Sequence, residues 1–146
     1  MTQEVFPGTL DSLAPIREYV ARAAAAAGLN KSASYNLCLA VDEIATNIVV
    51  HGYQAAGQKG DLRVNAETEP GRLVVRVEDT GPAYDPSKHE VPDNDDLQSP
   101  LHERPAGGLG ILLAMQGVDD LQYSTSERGN VHRFVVNLPQ QKQAAR

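Results

Sequence analysis

Residues Asp42 to Tyr53 read Asp-Glu-Ile-Ala-Thr-Asn-Ile-Val-Val-His-Gly-Tyr, and no other stretch constrains the fold as tightly. Glu43, Asn47 and His51 recur every four residues, which places them on one side of a helix. Leu37, Val41, Ile44 and Ile48 recur at helical spacing on a neighbouring stripe. The pattern predicts an amphipathic helix with its apolar stripe in a core and its acid and amide at the rim. An acid held there is a candidate general base, and an amide oxygen is a candidate ligand for a hard cation. Taken singly, each residue also has an ordinary use. Glu43 fits a solvated helix position, Asn47 a surface amide, Asp42 a solvated or paired acid, and His51 the C-terminal end of a helix.

The chain's 146 residues suit one domain with a sizeable core, and 41% hydrophobic with 22% charged residues is ordinary for a globular protein. A net charge of −6 argues against a nucleic-acid surface and fits a neutral or basic partner. The single cysteine, Cys38, excludes an internal disulfide and a cysteine-built zinc site, and reads as a packing residue within the helix. No apolar run reaches membrane-spanning length. The run Ala23 to Ala27 follows Arg22 and reads as helix, not as a signal peptide. The expected setting is soluble, reducing and cytoplasmic.

Val5 to Leu10 reads as a short edge strand marked by Pro7. Ser12 is placed to start a helix that runs to about Ala27 and ends at Gly28. Ser32 or Ser34 is expected to start the second helix, which ends near Gly52. Asp61 to Thr68 and the β-branched run Leu73 to Val77 read as strands around the turn Glu69-Pro70-Gly71-Arg72. Gly108 to Gln116 reads as a short helix. Leu121 to Ser126 and Val131 to Leu138 read as a hairpin around Arg128-Gly129-Asn130. The expected fold is α+β, a two-layer α/β sandwich. Its antiparallel or mixed sheet carries the helices on one face, and its other face is partly exposed or used in association. The expected organisation is a single domain over residues 1–139 with a polar tail at 140–146.

The stretch from Thr80 to Gly107 holds five prolines and is too long for an ordinary connection. It reads as a lid or a disordered insertion. Asp79 and Gly81 stand at its entrance, and Gly107-Gly108-Leu109-Gly110 stands at its exit before a helix. Glycines there let backbone amides approach an anion, a helix N-terminus favours negative charge, and Arg104 can add a charged fork. The glycine run alone fits a helix-capping turn equally well. The phosphate-loop Gly-Lys-Ser/Thr and the protein-kinase signatures are absent, and His89, His102 and His132 show no ligand spacing.

In order, Glu-x-x-x-Asn on a helix, Asp-x-Gly after a strand, a lid, and Gly-x-Gly before a helix resemble the Bergerat-type ATP-binding fold. That fold is shared by gyrases, chaperones, histidine kinases and mismatch-repair proteins, and the resemblance covers about Ser32 to Leu138. Asp42 to Tyr53, Asp79-Thr80-Gly81-Pro82-Ala83-Tyr84-Asp85-Pro86 and Gly107-Gly108-Leu109-Gly110-Ile111 are similar to three boxes of the bacterial anti-sigma factor serine/threonine kinases. The absence of a preceding phosphoacceptor helix and of room for a transducer domain points to their stand-alone form.

The resemblance implies ATP and Mg²⁺ as cofactors. It implies that Asn47 gives its oxygen to Mg²⁺ and that Glu43 is the general base toward a serine hydroxyl. Asp79 would accept from the adenine amine, with Gly81 letting the base approach. Gly107, Gly108, Leu109 and Gly110 would close on the phosphates, and Arg104 would touch the terminal one. Ala83 stands where many relatives have glycine, at the adenine edge. The implied function is an anti-sigma factor that phosphorylates a small antagonist on serine and sequesters a sigma factor. Arg17 and Arg22 of the first helix would offer a contact surface, and the protein would form a homodimer. The alternatives are a nucleotide-gated binding switch without turnover, or a switch acting on a partner other than a sigma factor.

Overall fold

The computed structural model describes residues 1–82 and 116–139. Within them lie β1 (Glu4–Pro7), α1 (Leu13–Ala27), α2 (Lys31–Asn47), β2 (Asp61–Glu69), β3 (Arg72–Asp79), β4 (Asp120–Ser126) and β5 (Gly129–Asn137). A 3-10 turn, Leu10–Ser12, leads into α1, and a π-helical segment, Ile48–Gln54, prolongs α2. The expected lid and glycine-rich helix entry, and the polar tail from 140, lie outside the described residues.

Glycine at position 28 ends α1 as its sequence position suggests. Its φ of 88° is left-handed, and the amide of Leu29 donates back to Ala24 O at 3.0 Å. The start of α2 differs from expectation. Asn30, not Ser32 or Ser34, is the cap: its backbone is extended and its side-chain oxygen accepts from Ala33 N at 2.8 Å. Both serines already lie inside the helix, where the amides that follow them are engaged in helical hydrogen bonding.

The strands form one sheet in the order β1-β2-β3-β5-β4, and every neighbouring pair is antiparallel. Of the antiparallel or mixed sheet expected, the described strands take the antiparallel form, because tight turns join β2 to β3 and β4 to β5. Alternation decides what each face carries. Leu62, Val64, Ala66, Leu73, Val75, Val77, Phe134 and Val136 point into a core with Ile16, Tyr19 and Val20 of α1 and Leu37, Val41 and Ile44 of α2. The opposite face bears the ion pairs Arg63–Glu78 at 3.8 Å, Arg76–Glu67 at 3.5 Å and Arg133–Glu69 at 3.9 Å. Partly exposed pairs of this kind stabilise by at most about 1 kcal/mol each, so the helix-covered face holds the fold together. Val74 and Val135 face each other on the charged side and are both buried. This explains why the valine run of β3 reads as buried on both faces. No described helix is long and apolar enough to cross a membrane.

Candidate functional site

Helix α2 carries the first part of the site. Its apolar stripe fixes the rotation of the helix, since Leu37, Val41, Ile44 and Ile48 are all buried. Glu43 then falls at the rim, half-buried, and its pKa is raised by burial first and by the neighbouring Asp42 second. Asp42 turns away to Arg17, 2.8 Å from its guanidinium. Cys38 packs half-buried against the core, and burial pushes its thiol pKa up. Asn47, one turn beyond Glu43, is 4% exposed, and its Nδ2 has no hydrogen-bond partner among the described residues. A 180° flip exchanges the two ends of an amide, so this side chain can offer either a donor or an oxygen at that point.

Directly after Asn47 the hydrogen bonding changes to the π pattern. Such segments add a residue to the turn and concentrate at functional sites. The four-residue line therefore stops at Asn47. His51, expected as its third member, is exposed within the π segment, while Gly52 and Tyr53 turn inward. The Tyr53 ring is wedged so closely between Gly8 and Gly60 that a Cβ at either glycine would stand 2.6 Å from it. Its hydroxyl donates to Asp61 O at 2.7 Å and accepts from Thr80 N at 2.9 Å. One buried phenol thus ties the end of the α2 run to the segment that leaves β3.

That segment carries the second part of the site. Asp79 is 3% exposed at the last position of β3. Its Oδ1 accepts from Gly81 N at 2.8 Å and from Asn130 Nδ2 at 2.9 Å, whereas its buried Oδ2 has no hydrogen-bond donor among the described residues. His132 Nε2 stands 3.8 Å from Oδ2. Burial raises the Asp79 pKa, and the hydrogen bonds from Asn130 and Gly81, with the charge of Arg63, oppose that rise. A Cβ at Gly81 would meet Asp79 Oδ1 at 3.3 Å and the Tyr53 ring at 3.5 Å, so a larger residue there would crowd both. Gly129 has φ 131°, and a Cβ on it would stand 2.1 Å from Asp79 O. Only glycine lets β5 begin this close to the end of β3.

The described residues therefore pair Glu43 with Asn47 on one helix and Asp79 with Gly81 at one strand exit, with Tyr53 bridging the two regions. Ala83, Arg104, Gly107, Gly108, Leu109 and Gly110 lie outside the described residues. Sequence reasoning missed Tyr53, Tyr123, Gly129, Asn130 and His132. The signal for Gly129 was present in the turn Arg128-Gly129-Asn130. Asn130 and His132 act through pairing between β3 and β5, in which Asp79 faces Asn130 and Val77 faces His132; Tyr123 joins them from β4, opposite His132, and Tyr53 acts through its packing on Gly8 and Gly60, and a single sequence displays neither the registers nor that packing.

The chemistry on offer is specific. A buried carboxylate oxygen without a hydrogen-bond donor accepts a ligand N–H, and leaving it unmet costs about 1–3 kcal/mol. A neutral amide oxygen from Asn47 suits a hard cation that takes its remaining ligands from phosphate and water. The described residues hold no cluster of three His, Cys, Asp or Glu side chains that would make an all-protein metal cage.

The profile of the histidine kinase-like ATPase domain family matches residues 6–136. The chain is similar to the serine-protein kinase RsbW of Bacillus thuringiensis (strain Al Hakam), 28% identical over 123 residues, covering 83% of this chain and 75% of that protein. The serine-protein kinase RsbW of Bacillus cereus (strain 03BB102) matches to the same extent. Among solved structures, the histidine kinase domain of the Erythrobacter litoralis EL346 blue-light activated histidine kinase shares the fold at a TM-score of 0.51 and 17% identity, over 88% of this chain. This chain spans 60% of that structure.

Proposed function

The chain is a member of the histidine kinase-like ATPase domain family, and from that premise we propose that it is an ATP- and Mg²⁺-dependent serine protein kinase. In this reading it phosphorylates a small antagonist protein on serine and sequesters a sigma factor, as a cytoplasmic homodimer that uses neither nucleic acid nor membrane. The observation that carries the reading is Asp79, a carboxylate 3% exposed at a strand exit whose Oδ2 lacks a donor among the described residues. An adenine amine is the kind of N–H that would satisfy it.

When bound, the magnesium nucleotide supplies the transferable phosphoryl group and much of the charge neutralisation that such a transfer needs. Asp79 accepts the base amine, and Gly81 and Ala83 leave room at its edge. Asn47 lends its amide oxygen to the cation. Glu43, one helical turn earlier, receives the proton of the incoming serine hydroxyl, and its raised pKa makes it a better base than a solvated glutamate. Arg104 and the run Gly107, Gly108, Leu109 and Gly110 serve the phosphates from the lid of residues 80–107.

Calorimetric titration with ATP and ADP, with and without Mg²⁺, followed by phosphate transfer to a serine-bearing antagonist, tests the reading. Saturable Mg²⁺-dependent binding and transfer that Glu43→Ala abolishes while binding persists are the expected results. Equal transfer by wild type and Glu43→Ala would remove Glu43 from its role. Binding without any transfer would favour the nucleotide-gated switch.

A further inference from the structure

The two oxygens of Asp79 are in unequal situations, and Asn130 makes them so. Asn130 is 3% exposed. Its Oδ1 accepts from the Tyr123 hydroxyl at 2.9 Å, and its other end faces only oxygens, Asp79 Oδ1, Gly81 O and Pro82 O, which fixes that end as nitrogen. Nδ2 then reaches Asp79 Oδ1 at 2.9 Å, Gly81 O at 3.0 Å and Pro82 O at 3.2 Å. With its two hydrogens it holds the carboxylate with one and the strand-exit carbonyls with the other. Asp79 Oδ1 already has Gly81 N, so Asn130 completes that oxygen and leaves Oδ2 as the one buried acceptor of the pair without a donor.

We propose that Asn130, oriented by Tyr123, is the specificity-determining positioning residue of the site. It locks the Asp79 carboxylate with Oδ2 presented as a pure acceptor, so that the site takes a purine with an exocyclic 6-amine and refuses a 6-oxo purine. The inference rests on the reading that Asp79 meets the base. An amine donates to Oδ2, whereas an oxo group sets a second acceptor against a buried carboxylate and leaves both unmet. Without the Asn130 donor only the Gly81 amide holds Oδ1, so the carboxylate turns or takes up a proton more readily, and a protonated acid donates to an oxo group as readily as it meets an amine. The other groups acting on Asp79 are His132 on β5, the Gly81 amide and, through its charge from the opposite face of β2, Arg63.

The experiment is titration of the full chain with ATP and with inosine triphosphate, both with Mg²⁺, for wild type, Asn130→Ala and Tyr123→Phe. The wild type is expected to prefer ATP by about 10- to 100-fold, from the cost of an unmet buried acceptor. Both variants are expected to lose about tenfold of that preference, through weaker ATP and equal or tighter inosine triphosphate binding. A merely structural role weakens the two nucleotides in parallel, and an unchanged ratio in folded variants overturns the proposal. Tyr123→Phe keeps the ring against His132 (centroids 5.1 Å apart) and removes only the hydroxyl, which serves if Asn130→Ala does not fold. A second readout separates this inference from the kinase reading: the carboxyl ¹³C titration of Asp79 in the nucleotide-free protein. Asn130→Ala is expected to move its midpoint up by about one pH unit, since a donor to the charged form is lost. A midpoint that stays put overturns the lock. If the midpoint moves while the wild type binds neither nucleotide, the lock stands and the nucleotide reading falls.

Discussion

Removing one oxygen atom, in Tyr53→Phe, separates the structural from the functional role of the bridge between α2 and the strand exit. The ring remains wedged between Gly8 and Gly60, so no cavity forms. Two short hydrogen bonds disappear, the donation to Asp61 O at 2.7 Å and the acceptance from Thr80 N at 2.9 Å, together with a longer contact to Thr80 Oγ1 at 3.3 Å. A net hydrogen bond stabilises by about 0.5–1.5 kcal/mol, and an orphaned buried partner adds a desolvation penalty. Asp61 and Thr80 are exposed residues, so water can replace the lost partner and the penalty stays small. The sum is about 1–2 kcal/mol, which for a chain of this size lowers Tm by about 3–8 °C. The freed Thr80 amide also loosens the Asp79–Gly81 segment, and ATP affinity is expected to fall about tenfold, equivalent to about 1.4 kcal/mol. Thermal unfolding followed by circular dichroism and calorimetric ATP titration read the two effects separately. A Tm within 1 °C of wild type would refute the hydrogen-bond accounting. A lowered Tm with unchanged ATP affinity would refute the coupling of this tyrosine to the site.

Glu43→Gln is expected to raise Tm at pH 7–8 while abolishing phosphate transfer. The folded-state pKa of Glu43 is raised by burial and by Asp42, so its ionisation costs stability as pH rises through that pKa. The gain from Gln should shrink as pH falls below it, and a pH-independent difference would refute the assignment. Asn47→Ala is expected to remove most of the Mg²⁺-dependent part of ATP affinity, and identical affinities with and without Mg²⁺ in wild type would count against the metal role. Gly129→Ala must resolve a 2.1 Å approach to Asp79 O at φ 131° and is expected to cost at least about 2–3 kcal/mol in denaturant unfolding. Gly71→Ala, with φ 77° and open space around its Cβ, should cost only about 1–2 kcal/mol. Equal losses at the two positions would show that backbone conformation alone sets the cost.

The helix around Glu43 and Asn47, the strand ending at Asp79 and the hairpin near Gly129 were legible because each rests on local periodicity or turn chemistry. Four-residue spacing, β-branched runs and glycine punctuation follow from backbone geometry, which neighbours in sequence already fix. That spacing misled at His51, because a π turn is a tertiary accommodation: it serves the burial of Tyr53 against Gly60 and against Gly8, which is far away in the chain. The cap of α2 was misjudged for a smaller reason, since Ser32 and Ser34 are as good caps as Asn30 until the backbone chooses which of them is extended. The sequence by itself determined the residue types of the site and the helix and strand that carry them. Only the tertiary structure decided that Asn130, Tyr123 and Gly129 stand beneath Asp79. The register of β3 against β5 is set by packing the whole sheet on the helices, and no pattern within either strand encodes it.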